Sequence, residues 1–476
     1  MEIQQISEHL KVDSNKLNKL GVFDAIVGID SHLFVDPFFL RNTKIPEFKN
    51  SYKKFGKYFS EIITLLVASK EKNDKAWKEA HKRLIFHETH GVSIGYGMRS
   101  SNGSAIGFVL GGKLVESASE IIKMGITDPV IFELLGLFEE GFGADRLSDM
   151  TISILLPDFL AYTERVTKTL KIKNTTEIVL RGRKYVLPAQ SENGDYLLFL
   201  PMSFLSDLPI ALTFDDIDRV ISANRELRQK INVIIGSVWK ERRRPSKNEL
   251  RNILFSNAGG IKELLASYKN AEGKSYDFQN DVEGQVEWYS IGKYFADKFK
   301  LIFENKEPKT LEELEGIVEK IIAQFKKNIE LNGLNEHLYA SGKVRPERFS
   351  QRLLYSTADT YCKANDIDLS REPDAGSGPV DFKLSKGYKA RTLVEIKLSS
   401  NPKLIQGYEK QIVAYQESED TTSCYYVVIR ISQKGNNIKN LLKIKEKMEK
   451  EGKKCPPIVV IDGVLKPSAS NRKRDK

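Results

Sequence analysis

The sequence predicts two differently built parts: a mainly helical α+β region over residues 1–340 and a mixed-sheet α/β domain over residues 341–476. Three observations carry that expectation. Helical periodicity dominates before residue 330, interrupted by only two hairpin signals. After residue 345 the pattern reads helix, two alternating strands, helix, strand, helix, strand. The formal charge of +10 is also unevenly placed: residues 331–476 hold 27 Lys+Arg against 18 Asp+Glu, and the remainder holds 47 against 46. A chain of 476 residues suits two or three domains. It divides into an α+β domain over 1–210, a helical region or linker over 211–340, and the α/β domain over 341–476.

Taken in order, the first 90 residues are helical and polar-aromatic, with a short apolar interruption in GVFDAIVGIDSHLFVDPFFL. Seven glycines lie between Gly91 and Gly112, and Asn102-Gly103 with apolar flanks predicts two strands joined by a turn. That stretch ends GGKL rather than GK[ST], so the glycines read as a hairpin and not a phosphate loop. Helical spacing resumes at Leu114–Met124 and Pro129–Phe138. The loop GFGADRLSD leads into a helix from Asp149 to about Leu170, with Ser148 as its cap and Pro157 set to kink or divide it. Residues 177–200 alternate like strands around Asn193-Gly194. Beyond Pro209 the pattern is helical to about Tyr268, broken by KERRRPSK at 240–247, and a further helix covers about 310–330. The loop NGLNEHLYASGKVRP at 332–346 is the main boundary.

The C-terminal domain opens on a helix from Pro346 to about Ala364, whose apolar face is Phe349, Leu353, Leu354, Ala358, Tyr361 and Cys362. Strands over Pro379–Ser385 and Arg391–Leu398 follow. Next come a helix over Lys403–Glu417, a strand over Ser423–Ile431, a helix over Asn437–Lys450 and a strand over Pro457–Asp462.

Composition excludes several classes. With 41% hydrophobic and 29% charged residues the chain is neither a disordered tail nor a membrane protein, and no window reaches eighteen unbroken apolar residues. The N-terminal MEIQQISEHLKVD lacks the basic-then-apolar pattern of a secretory leader. Cys362, Cys424 and Cys455 are far apart and form no C-x-x-C pair, which argues against a disulfide framework or a paired-cysteine zinc site. A reducing cytoplasm is the expected compartment. A basic module on a neutral body is the footprint expected of a polyanion binder.

The segment EPDAGSGPVDFKLSKGYKARTLVEIKLSS carries the chemistry. A hairpin turning at Tyr388 sets Phe382 opposite Val394, Val380 opposite Ile396, Leu384 opposite Thr392 and Asp381 opposite Glu395. One face is then apolar and the other presents Asp381, Lys383, Glu395 and Lys397; a shift of one residue would scramble both. Two carboxylates about 5 Å apart repel. A hard divalent cation between them relieves that repulsion, and Mg²⁺ takes carboxylate oxygens while keeping several waters. Lys397, on the same strand face as Glu395, can neutralise the site, orient a water or stabilise a developing oxyanion. Such a set suits hydrolysis of a nucleic-acid backbone.

These residues resemble the PD-(D/E)XK nuclease superfamily, the fold of restriction endonucleases and of many repair and recombination nucleases. The likeness rests on Pro379-Val380-Asp381, thirteen residues, then Glu395-Ile396-Lys397, in a helix–strand–strand–strand–helix–strand order over about residues 345–465. It implies a restriction-endonuclease-like core with Asp381, Glu395 and the Ile396 main-chain carbonyl as ligands of Mg²⁺, with Mn²⁺ able to substitute, and Lys397 as catalytic lysine. Glu347 in the preceding helix is a further implied ligand, although the macrodipole also favours a Glu in a first turn. GYEKQIVAY places Gln411 and Tyr415 four apart, similar to the Q-x-x-x-Y motif of recombination helicase-nucleases, and implies catalytic roles for both. The subgroup's first-helix histidine has no counterpart, the nearest histidine being His337.

The resemblance implies a Mg²⁺-dependent deoxyribonuclease, first a bacterial restriction or anti-phage defence endonuclease and second a DNA repair or recombination enzyme. DNA is the expected partner, no membrane is, and the N-terminal region would bind a partner protein or a second copy. The rival from another class is an inactive nucleic-acid-binding scaffold, against which stand intact Asp381, Glu395 and Lys397. Lys383 and the run Arg242, Arg243 and Arg244 are candidate phosphate contacts, and the arginines read equally well as a solvated turn. His87-Glu88-Thr89-His90 lacks the H-E-x-x-H spacing and a third ligand, and reads as a surface feature. Asp145, Arg146 and Asp149 read as a helix start.

Overall fold

A computed structural model describes residues 4–465 except 88, 96–105, 138, 140, 192–193, 207–250, 252–257, 271–272, 300–306, 372–380, 388–389, 412–420 and 454. The chain is mixed α/β and separates into two units, Met1–Gln279 and Asn280–Lys476. The division falls inside the segment that the sequence reading takes as a helical region or linker, and not in the loop 332–346 expected as the main boundary. The helix over Leu311–Glu330 belongs to the second unit's packing: Lys326 donates to Val460 O and Glu319 accepts the Tyr425 hydroxyl. Among the described residues no helix is long and apolar enough to cross a membrane.

The first unit is built on helices α1 (Ser51–Ala68), α2 (Lys75–Arg83), α3 (Phe108–Lys123), α4 (Ala144–Ile154) and α5 (Leu156–Thr169), a hairpin β1 (Thr175–Leu180) and β2 (Arg183–Pro188), and α6 (Ala258–Lys269). In α1 the buried Phe55, Phe59, Ile62, Ile63 and Leu66 recur at helical spacing and form its core stripe. Pro157 divides the expected long helix, standing in the first turn of α5 where its missing N–H costs nothing. Ser148 does not cap: α4 already starts at Ala144, and the Ser148 hydroxyl accepts the Val35 N–H at 3.0 Å. The longer hairpin turns at Arg181-Gly182, both with positive φ. A short antiparallel pairing flanks the expected Asn193-Gly194 turn, of which Asn193 lies outside the described residues: Ala189 bridges Tyr196, the Gln190 N–H donates to Asp195 O at 2.8 Å and the Leu197 N–H to Pro188 O at 2.9 Å. Asn102-Gly103 lies outside the described residues, and residues 108–112, expected in a strand, open α3.

A polar cluster around Arg41 and Glu133 is buried in this unit. The Arg41 guanidinium lies 4.6, 5.1 and 4.7 Å from the ring centres of Phe38, Tyr52 and Tyr268. Glu133, 1% exposed, accepts from the Tyr268 hydroxyl at 2.7 Å, the Tyr52 hydroxyl at 2.9 Å and Arg41 at 3.4 Å. Burial pushes its carboxyl up to about 7, against the pull of Arg41 and both hydroxyls.

The second unit begins with α7 (Glu287–Lys298) and α8 (Leu311–Glu330), followed by α9 (Glu347–Ala364). Five strands then form one mixed sheet: β3 (Asp368–Arg371), β4 (Phe382–Lys386), β5 (Ala390–Leu398), β6 (Cys424–Arg430) and β7 (Ile458–Asp462), in spatial order β7-β6-β5-β4-β3. β3, β4 and β5 pair antiparallel, and β5, β6 and β7 pair parallel, with α10 (Asn437–Lys450) as the crossover between the last two. Phe382 pairs with Val394 and Leu384 with Thr392, the register that the alternation predicts.

Both faces of β5 are covered, so the charged face is not a solvated surface. On the Phe382/Val394 side, Tyr355 of α9 stacks on Phe382 at 6.4 Å. On the other side Leu393, Tyr426, Val428, Leu404, Tyr408 and Leu441 of α10 form one cluster. After β5 the chain runs through a helical turn, Leu404–Gln406, into a π turn over Gly407–Gln411, where the Tyr408 hydroxyl donates to Pro456 O at 2.7 Å.

Candidate active site

The end of β5, the start of β4 and the first turns of α9 converge. Asp381 stands just before β4, and its N–H donates to Glu395 Oε2 at 3.2 Å, while the Ile396 N–H donates back to Asp381 Oδ2 at 2.6 Å. The two carboxylates are thus held side by side by reciprocal main-chain bonds across the hairpin. Two residues after Glu395, Lys397 places its ammonium 2.7 Å from Glu395 Oε1 and 3.4 Å from Glu347 Oε1. Glu347, the first residue of α9, also accepts the Leu398 N–H at 2.7 Å and the Asn401 amide at 3.0 and 2.9 Å. One turn further along α9, Gln351 donates to Asp381 Oδ1 at 2.8 Å.

These groups are buried: Glu395 is 2% exposed, and Asp381 and Lys397 are each 9% exposed. Burial and the neighbouring Glu395 push the Asp381 carboxyl well above its ordinary range, and Lys397 opposes them. Burial likewise raises Glu395 against the pull of Lys397. For Lys397 burial works downward, but Asp381, Glu395 and Glu347 outweigh it, so the amine is held protonated. Three carboxylates facing one ammonium leave an excess of negative charge where water is scarce.

That excess, not a closed ligand cage, is the signature a cation would answer. Among the described residues no three His, Cys, Asp or Glu side chains are grouped as a metal centre. Asp381 and Glu395 with the adjacent Ile396 main chain fit a hard divalent ion that keeps several waters.

The expected residues Asp381, Glu395, Ile396, Lys397 and Glu347 therefore come together. Lys383 sits on β4 opposite Leu393, half-buried. Gln411 ends the π turn, a deviation that recurs at functional sites. Tyr415, Arg242, Arg243 and Arg244 lie outside the described residues. His87 and His90 are exposed, and Asp145, Arg146 and Asp149 fall within α4. Sequence reasoning missed Gln351 and Asn401. The spacing of Gln351, four after Glu347 on the same helix face, was the available signal for the first. Asn401 showed only as a turn former, and its side chain does accept the Lys403 N–H at 2.8 Å.

Residues 11–213 match the model of a domain of unknown function, DUF8370. Residues 314–433, which include every group of the cluster above, match that of another domain of unknown function, DUF8371. No curated protein and no solved structure matches the chain.

Proposed function

We propose that the second unit is a metal-dependent nuclease that hydrolyses DNA phosphodiester bonds on a restriction-endonuclease-like core. The observation that carries this reading is the buried Asp381–Glu395 pair with Lys397 at 2.7 Å, set on adjacent antiparallel strands whose second strand continues into a parallel half-sheet. A structural salt bridge needs one carboxylate for one lysine; here Asp381, Glu395 and Glu347 all raise the lysine's proton affinity.

Asp381 and Glu395 would hold Mg²⁺, which supplies Lewis-acid polarisation of a phosphoryl oxygen and a more acidic bound water. The Asp381 carboxylate is kept in place by the Ile396 N–H and by Gln351, so its orientation is set before any ligand arrives. Lys397 keeps its proton and donates toward charge that develops on the phosphate. Water adds at phosphorus, one P–O ester bond breaks, and a phosphate monoester and an alcohol are released. The setting implied by the family resemblance is restriction or anti-phage defence.

The test incubates the full chain with closed-circular and linear DNA, with RNA as a third substrate, in Mg²⁺ and in EDTA. Cleavage in Mg²⁺ alone, lost in Asp381→Asn and in Glu395→Gln, supports the reading. Intact substrates throughout, or cleavage by both variants at the parent rate, sink it.

A further inference from the structure

Glu347 has the type and place of a third metal ligand, yet its oxygens are engaged elsewhere. Oε2 accepts the Leu398 N–H at 2.7 Å, the Asn401 amide lies 2.9–3.0 Å from both oxygens, and Oε1 is 3.4 Å from the Lys397 ammonium. Asn401 is itself fixed, since its Oδ1 accepts the Lys403 N–H at 2.8 Å and its Nδ2 is thereby turned to Glu347. The Leu398 N–H belongs to the last residue of β5, directly after the lysine. All three donors therefore come from one short stretch, 397–401, and the carboxylate meets it from the N-terminus of α9.

We infer that Glu347 and Asn401 form a clamp that positions Lys397 and the end of β5, and that Glu347 does not ligate the cation. The inference rests on the nuclease reading for what Lys397 does, but not for the clamp. A ligand to a hard cation must offer it a lone pair. Asp381 and Glu395 meet one donor on each oxygen and keep the second lone pair, whereas each Glu347 oxygen already meets two donors and would have to release one. A free ammonium on a four-carbon stem samples many rotamers. Held between Glu395 and Glu347 it is preorganised, and that positioning is what the clamp contributes.

Exchanging the two polar ends separates the roles. Glu347→Gln puts an amide against the Asn401 amide, and Asn401→Asp puts a carboxylate against the Glu347 carboxylate. The double variant Glu347→Gln/Asn401→Asp restores donor to acceptor, keeps the Leu398 and Lys403 bonds, and leaves net charge unchanged while removing the carboxylate from position 347. Each protein is measured for Mn²⁺ binding by calorimetry, for kcat and KM on DNA, and for melting temperature in EDTA. The clamp predicts that each single variant loses kcat roughly tenfold or more with Mn²⁺ affinity kept within about threefold. The double variant recovers the melting temperature and part of the kcat, because the Leu398 bond returns while the Lys397–Glu347 contact stays lost. Glu347→Gln weakening Mn²⁺ binding tenfold or more, with the double variant no better, overturns it and makes Glu347 a ligand. Should the parent protein bind no Mn²⁺ and cut nothing, the nuclease reading falls and the melting temperatures still decide the clamp. Recovery in the double variant upholds it, and an undiminished loss refutes it.

Discussion

Lys397→Met removes the ammonium that Glu395 and Glu347 contact and is the most direct probe of this site's electrostatics. At 2.7 Å and an effective dielectric of 20 the attraction between Lys397 and Glu395 is roughly 6 kcal/mol before desolvation. With the two side chains 11% and 3% exposed, solvent screens little of it. Removing one partner of a buried pair typically costs about 3–5 kcal/mol, because the other charge stays buried and uncompensated. The carboxylates can take up a proton instead, so the lower end of that range applies. On the proposed reading a divalent ion between Asp381 and Glu395 would replace the missing positive charge, and a hundredfold excess over its Kd would return about 2.7 kcal/mol. The assay is amide hydrogen exchange of the Ala390–Leu398 strand in the full chain, in EDTA and in Mg²⁺, beside DNA cleavage. The expected result is an opening free energy lowered by about 3 kcal/mol in EDTA, recovered in Mg²⁺, with cleavage lost in both. A variant within about 1 kcal/mol of the parent in EDTA, or one that Mg²⁺ leaves unchanged, refutes the argument that the cluster carries uncompensated negative charge.

Gln351→Ala leaves Asp381 Oδ1 without its donor, so cleavage should fall roughly tenfold with about 1 kcal/mol of stability lost, read by kcat and by urea unfolding followed in the second unit. Glu133 raises a pH dependence in the first unit: its folded carboxyl sits at about 7 against 4.5, so its contribution is fully present below pH 4.5 and is lost as pH rises through 7. The shift corresponds to on the order of 3 kcal/mol, and Glu133→Gln should flatten the stability profile between pH 4.5 and 7; an unaltered slope in chemical denaturation of the variant would count against this. Leu441, fully buried on α10, anchors that helix to the Tyr426 face, so Leu441→Ala should destabilise the second unit by about 2–5 kcal/mol, measured by the same hydrogen exchange.

The register of the β4–β5 hairpin was legible because strand alternation has a period of two, so a slip would exchange the faces. That rule placed Asp381 beside Glu395 without any tertiary information, and the same patterning set the bounds of α9 and α10 to within a residue. β3 was missed because its four residues, Asp-Leu-Ser-Arg, offer too little alternation to rise above a loop. The expected long helix after Asp149 erred at its start because a polar residue next to an apolar run resembles a cap, whereas Ser148 spends its hydroxyl on Val35, 113 residues away in sequence.

By itself, then, the sequence determined the chemistry: which side chains share a strand face, that two are carboxylates set opposite each other, and that a lysine follows two residues on. These follow from periodicity, which is local. Only the tertiary structure decided how much those charges matter. Glu395 and Lys397 are buried because the Leu404–Gln411 turns, Tyr426 and α10 cover a face that alternation alone reads as solvated. Glu347 and Asn401 meet across 54 residues and Gln351 and Asp381 across 30, separations at which no sequence period constrains contact. Burial and long-range partners set the local dielectric and the proton affinities, and both depend on packing that spans the whole unit.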